Sequence, residues 1–281
     1  LITWNIDMKA RYGTLRMRRA LLYLDRGVLK TLPLLEPVKI FFQEMTVEDI
    51  AVIRGTVLVR ERFYMTDIDI RRWSNSLYGT VMLIDKRLVV SGGCQSGGRW
   101  KAFRVSYESR CGRDGLFVDI TLSPLPSQSQ LPTKFLRLCN THLESYGTNA
   151  PVRQLQMETV VKFLQGLPHG SLLTGDLNAV DPLDATFPST YNLSDAYLCL
   201  GGKEGVEDGF TWGYQSPARV LEKHGYSRMD KVLFCGDVKV WCLERIGIGL
   251  DIGNELWITD HYGLHTRVEV ISGWGLKMVI R

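Results

Sequence analysis

Three things the sequence lacks narrow its class. It has only six cysteines (94, 111, 139, 199, 235 and 242), and none stand in C-x-x-C spacing. That argues against a zinc ribbon and a disulfide framework, and predicts reduced, partly buried thiols in an intracellular protein, with Cys139 and Cys199 in apolar stretches. No apolar run approaches the roughly 20 residues that a membrane-spanning helix needs, so no membrane partner is expected. Charge of one sign is also missing: 34 basic against 30 acidic residues leave a net charge of +4, too mild to demand a polyanionic partner. The one basic cluster, Lys9, Arg11, Arg16, Arg18 and Arg19, reads as a solvated helix face.

What is present is ordinary for a folded chain: 281 residues, 45% hydrophobic and 23% charged. The chain opens at Leu1 in a strand-like stretch, so the natural N-terminus is expected to be cut away and residues 1–281 to form a single domain. Strands are expected at 1–5, 38–43, 56–60, 79–84, 102–107, 116–122, 135–142, 171–176, 229–234, 238–243 and 264–270. Helices are expected at 14–30, 46–53 and 151–166. The third of these opens at Pro151 and stops at Gly166, with Val152, Leu155, Val160, Phe163 and Leu164 as its apolar stripe. The Pro- and Ser-rich stretch 123–133 reads as an exposed loop between strands. The pattern is that of an α/β (α+β) chain with many strands of mixed direction.

Residues 172–181, LLTGDLNAVD, pose the functional question. An apolar run enters a tight turn at Gly175, and Asp176 and Asn178, two apart, share one side of extended chain. Other strands also end in polar groups: Asn5 and Asp7, Gln43-Glu44, His142-Leu143-Glu144-Ser145, Arg228-Met229-Asp230 and Thr259-Asp260-His261. Strand ends are where α/β enzymes place their chemistry. Each has a bland reading, since Asn5 or Asp7 could cap a turn, Asp176 could form an Asx turn and His261 could be a surface histidine. Six in one order are harder to dismiss.

That ordered set resembles the endonuclease/exonuclease/phosphatase superfamily of deoxyribonuclease I-like phosphodiesterases, from the first residues to about residue 270. Within it the chain is most similar to the 5′-tyrosyl-DNA phosphodiesterase branch, through Thr3-Trp4-Asn5-Ile6-Asp7, His142-Leu143-Glu144-Ser145, Gln154-Leu155-x-Met157, Thr211-Trp212 and Asp260-His261-Tyr262-Gly263-Leu264; Ser109–Arg113 matches a basic strand start there. Met8, Gly147 and Val180 depart from the branch, the last two where basic, DNA-contacting residues would be expected. The resemblance implies a four-layer sandwich of two packed mixed β-sheets flanked by helices. It also implies a Mg²⁺-dependent phosphodiesterase (Mn²⁺ as the substitute ion), with single-stranded or 5′-ended DNA bearing a tyrosyl adduct as partner. A monomeric protein of nucleus and cytoplasm is expected on the same basis.

Phosphodiester cleavage needs an activated water, shielding of phosphate charge and help for the leaving oxygen. Mg²⁺ is hard and takes oxygen ligands, which makes Glu44 the first choice, with Asn5 and Asp260 nearby. Asp176 is the expected base, Asn178 orients water or phosphate, Asn5 is counted with the catalytic group, and His261 and His142 donate to the phosphate. Asp230 is expected to fix the His261 ring. Trp212 and Tyr78 are candidates to stack bases, Met229 to form an apolar wall, and Ser145 and Arg113 to contact phosphate. Two alternatives stand beside this reading. One is another activity of the superfamily, on abasic DNA, RNA, or an inositol or sphingolipid phosphate. The other is a non-catalytic binding protein.

Overall fold

The computed structural model describes residues 1–33, 35–88, 102–124 and 134–278. Its strands are β1 (Ile2–Asn5), β2 (Lys39–Met45), β3 (Phe63–Met65), β4 (Gly79–Asp85), β5 (Ala102–Ser106), β6 (Asp114–Pro124), β7 (Lys134–His142), β8 (Gly170–Asp176), β9 (Ser194–Asp195), β10 (Asp230–Gly236), β11 (Val238–Ile246), β12 (Gly263–Val270) and β13 (Trp274–Leu276). They form a six-stranded sheet, ordered β11-β12-β1-β2-β4-β3, and a seven-stranded sheet, ordered β13-β6-β7-β8-β10-β9, with β5 paired to β6. Both are mixed: β1 runs parallel to β2 and β7 parallel to β8, among antiparallel neighbours. The helices are α1 (Gly13–Tyr23), α2 (Val47–Gly55), α3 (Val57–Arg62), α4 (Ala150–Leu164), α5 (Phe187–Thr190), α6 (Ala196–Cys199) and α7 (Ala218–His224).

Alternation along the strands builds four layers. On β2, Ile40 and Phe42 face outward and pack with Met17 and Leu21 of α1, with Leu24 just after it, and with Ile50 and Ile53 of α2. Phe41 faces inward, where Met82, Leu116, Leu138, Leu172 and Val232 form the core between the sheets. On the far side, Phe117, Cys139, Leu173 and Leu233 pack under Met157, Val160 and Leu164 of α4. Two-residue periodicity then fixes which side chains enter the inter-sheet space near the strand ends. They are Thr3 and Asn5, Gln43, Asn140 and His142, Thr174 and Asp176, and Asp230. Gln43 Nε2 donates to Thr3 Oγ1 at 3.0 Å and, across the gap between sheets, to Asn140 Oδ1 at 2.7 Å. Asn140 Nδ2 donates to the Phe42 and Val81 carbonyls of the opposite sheet.

Four expectations are corrected. Residues 56–60 are not a strand: after extended Thr56 the chain turns into α3, and the strand forms later, at β3. Val57-Leu58-Val59 is an unbroken apolar run, a pattern that does not separate strand from helix. The stripe of α4 is displaced, with Leu155 exposed and Met157 and Val161 in the core. Cys199 is exposed where partial burial was expected, whereas Cys139 is buried. Arg16 is buried, and its Nε donates to the Arg11 carbonyl, while Lys9 and Arg11 lie in the β1–α1 loop; only part of the basic cluster is a solvated helix face. The expected helix at 14–30 is α1 followed by a wider turn over Leu24–Leu29. Cys94 and the body of the expected 123–133 loop lie outside the described residues.

Gly175 closes β8 beside the site with φ of +142°, and a Cβ there would lie 1.9 Å from the Thr141 carbonyl oxygen of the neighbouring strand. Backbone cannot yield as a flexible side chain can, so Gly175→Ala is expected to cost about 3 kcal/mol or more. Thermal unfolding of the variant checks this; an unchanged midpoint would mean the strand relaxes freely.

Candidate active site

Strand register brings the polar ends together. His142 pairs with Asp176 on β7–β8, and Asp230 pairs with Asp176 on β10–β8, so the three occupy one rung across adjacent strands. Opposite them Asn5 pairs with Gln43 on β1–β2, and His261 lies two residues before β12. Asn5 Nδ2 donates to Asp176 Oδ2 at 2.9 Å, joining the two sheets. The same oxygen stands 3.2 Å from His142 Nε2 and 3.7 Å from His261 Nε2. Asp176 Oδ1 accepts the Asn178 backbone N–H at 2.8 Å, which the left-handed backbone of Asn178 (φ +48°) allows. Asn178 Nδ2 donates to the Leu143 carbonyl.

The two histidines differ in state. Arg113 Nη1 approaches His142 Nδ1, and a guanidinium has no acceptor, so the ring nitrogen accepts. The ring proton then sits on Nε2, facing Asp176. Burial, with the Arg113 charge beside it, pushes His142 below its usual pKa and keeps it neutral. Burial also opposes charge on His261, but Asp230, Asp176 and Asp260 overcome it and raise its pKa well above the ordinary value. Its Nδ1 lies 2.7 Å from Asp230 Oδ2. Burial raises the Asp230 carboxyl to about 6 against the pull of His261. Asp176, though burial works the other way, is held ionised below the usual carboxylate range by His142, His261 and the Asn178 N–H.

A second group lies beside these residues. Burial, reinforced by Asp260 and Glu44, raises the Asp7 carboxyl to about 7. Glu44 and Asp7 both have left-handed backbones (φ +57° and +56°), which non-glycine residues rarely adopt and which often marks a site. Glu44 Oε2 accepts the Met8 N–H at 3.0 Å, and Oε1 stands 3.8 Å from His142 Nε2. Three gathered carboxylates and the Asn5 carboxamide form an all-oxygen donor set in which acid outnumbers the one guanidinium, Arg16, facing Asp7 and Asp260, and this fits a hard divalent cation. Asp176, Asp230 and His261 also bring possible ligand atoms within 4.8 Å of one another. There the histidine ring is already engaged with Asp230, so the oxygen-rich group is the better cation site.

The substrate-facing expectations fare differently. Trp212 is buried, and its Nε1 donates to Asp260 Oδ2 at 2.8 Å, so it holds a carboxylate and offers no open face for a base. Arg113 is 5% exposed, and its second nitrogen donates to Ser145 Oγ at 2.8 Å; it sits behind His142 and not on the surface. Ser145 is half-buried and engaged with it. Tyr78 is half-buried, with its ring beneath the Arg113 guanidinium and its hydroxyl donating to the Cys111 carbonyl. Met229 is buried, and its carbonyl accepts the Leu177 N–H, so it packs as core and forms no exposed wall. Sequence reasoning missed Asp7 as a site residue, although its place two residues after Asn5 was a signal. It also missed Thr259, whose hydroxyl bonds the Asn5 carbonyl and accepts the His261 N–H, and Thr211, whose hydroxyl accepts the Asp230 N–H.

The family model described as Endonuclease/Exonuclease/phosphatase family matches residues 2–261. A comparison with curated protein sequences gives no match. Among solved structures, D. rerio TDP2 complexed with single strand DNA product is 18% identical with a TM-score of 0.71, over 96% of this chain and 98% of that one. Truncated Caenorhabditis elegans TDP2 is 21% identical with a TM-score of 0.66, over 94% of each chain. The human Nocturnin catalytic domain with bound sulfate anion is 14% identical with a TM-score of 0.63, over 96% and 93%. At these identities the likeness establishes the fold.

The charge on His261 depends on Asp230. Asp230→Asn removes the nearest anion and is expected to lower the His261 pKa toward the ordinary value of about 6.5. Nitrogen-15 NMR of the ring across pH reads this directly; a ring still fully protonated well above neutral pH would show that Asp176 and Asp260 suffice.

Proposed function

The chain belongs to the endonuclease/exonuclease/phosphatase family of metal-dependent hydrolases, and on that footing we propose that it is a Mg²⁺-dependent phosphodiesterase that cleaves 5′-phosphotyrosyl DNA to a 5′-phosphate end. The observation that carries the reading is the convergence at the strand ends of Asp176, His142 and His261 with the carboxylates of Glu44 and Asp260, each within 3.8 Å of a histidine Nε2.

In this reading Asp176 orients the attacking water and accepts its proton, with Asn5 and Asn178 fixing the carboxylate. An aryl phosphodiester suits such a site, because a phenol with a pKa of about 10 departs with little acid assistance. His261 donates to the phosphate as charge builds, held in place by Asp230. His142, neutral and protonated at Nε2, supplies a second donor positioned by Arg113. Glu44, Asp260, Asp7 and Asn5 would hold a divalent cation, Mg²⁺ or Mn²⁺, which draws charge from the phosphoryl oxygens as the new bond forms. Single-stranded DNA as the carrier of the ester is supported by the product complex of D. rerio TDP2. A second reading, another phosphodiester of the superfamily's range, is favoured by one observation: Gly147 and Val180 offer no cation to a nucleic-acid backbone.

The test is cleavage of a single-stranded oligonucleotide bearing a 5′-phosphotyrosine, with Mg²⁺ and with EDTA, beside an abasic duplex and an unmodified strand. Metal-dependent release of a 5′-phosphate end from the first alone is expected. Cleavage of the abasic or plain strand instead would replace the substrate and keep the phosphodiesterase. Glu44→Gln is expected to lower turnover at limiting Mg²⁺ by about a hundredfold or more; wild-type rates there would remove Glu44 from the metal group.

A further inference from the structure

Two loops at the end of the seven-stranded sheet carry a surface that the chemistry above does not use. The loop after β7 exposes Tyr146 (65%), and the loop after β8 exposes Val180 (39%) and Leu183 (36%). They meet at Gly147, where a Cβ would stand 3.9 Å from Val180 Cγ2. One buried ion pair pins both. Arg153, fully buried on α4, donates to Asp184 Oδ1 and Oδ2 at 2.8 and 2.6 Å and to the Tyr146 carbonyl at 2.7 Å. Asp184 Oδ2 in turn accepts the N–H groups of Val180 and Asp181 at 3.0 and 2.8 Å. The surface is therefore built in advance, and it starts two residues from Asn178 and one from Ser145.

Its chemistry is apolar and free of cations, with Asp181 as its acid. Neither 145–150 nor 178–186 contains Lys or Arg; Arg153 is spent on Asp184, and Arg113, which donates to Ser145 Oγ at 2.8 Å, is buried behind His142. A chain of phosphates laid here would meet no counter-charge, and phosphate binding rests on such charges. Across the site the rim is different. The loop after β1, in the other sheet, exposes Lys9 and Arg11, and is tied down by Met8 N–H on Glu44 and by Arg16 on the Arg11 carbonyl.

Resting on the phosphodiesterase reading, we propose that the Tyr146–Val180–Leu183 surface binds the uncharged arm of the scissile ester, an aryl group continuing into an apolar peptide, while the polyanionic arm leaves past Lys9 and Arg11. The occupant follows from charge: a two-armed substrate must set its charged arm against the cationic rim, which leaves the apolar arm for the surface without cations.

The experiment compares two esters of thymidine 5′-monophosphate with the same phenol leaving group, one with N-acetyltyrosinamide and one with the tyrosine of an apolar tripeptide. For the wild type, kcat/KM for the peptide ester is expected to exceed that for the short ester by about tenfold, carried mainly by KM. Val180→Arg and Leu183→Arg, both at exposed positions, are expected to remove most of that ratio. Equal values for the two wild-type esters, a ratio that survives both variants, or a loss shared equally by both esters would overturn the proposal while leaving the phosphodiesterase intact. Cleavage of neither ester with any divalent cation would sink the phosphodiesterase reading instead. Anisotropy of a labelled phosphotyrosyl peptide then decides the surface alone: weaker binding to Val180→Arg upholds it, and unchanged or absent binding overturns it.

Discussion

The hydrogen bond from Asn5 Nδ2 to Asp176 Oδ2, 2.9 Å long, joins strand ends in different sheets, and the geometry around it constrains nearly every other functional group. It lies where the inter-sheet core gives way to a polar mouth. Below it the inward positions are Phe41, Met82, Leu138 and Leu172; above it they are carboxylate, amide and imidazole. Buried polar groups must find partners or cost about 1–3 kcal/mol each. Gln43, Thr3 and Asn140 satisfy much of this need just beneath, by bonding across the gap. Their bonds fix the distance between the sheets, and so fix how close Asn5 and Asp176 can come.

Charge is arranged along the same line. On the seven-stranded sheet, Asp176 is crowded by donors and held ionised. On the six-stranded sheet, Asp7 is crowded by other carboxylates and burial, so its proton is held to about 7. The first carboxylate is satisfied by hydrogen-bond donors, whereas in the second group carboxylates outnumber the one guanidinium, Arg16, that faces Asp7 and Asp260. This contrast, more than any single distance, distinguishes the part of the pocket that handles water and phosphate from the part suited to a metal. The strained backbones of Asp7 and Glu44 sit on that second side, where the surrounding strands over-determine them.

Beyond the pocket, the two sheets end in loops of unlike character. The β1–α1 loop is cationic and anchored on Glu44; the loops after β7 and β8 carry no Lys or Arg and are anchored on the Arg153–Asp184 pair. Since both anchors are buried or tied to site residues, the rims are set by the fold and do not depend on a ligand to order them.

By itself the sequence determined the strand count to within a few short elements and the two-residue parity that sends Asn5, His142, Asp176 and Asp230 to one side. These rest on periodicity and on short-range order along the chain, which are local properties. The α3 segment was not legible, because an unbroken apolar run fits either period. Nor were the roles of Trp212 and Arg113, since an aromatic ring or a guanidinium reads alike whether it meets substrate or braces a neighbour. Only the tertiary structure decided that Trp212 holds Asp260, that Arg113 fixes the tautomer of His142, and that Asp7 joins Glu44 and Asp260. Those outcomes depend on which residues distant in sequence come within hydrogen-bonding range, and that is set by the packing of one sheet upon the other.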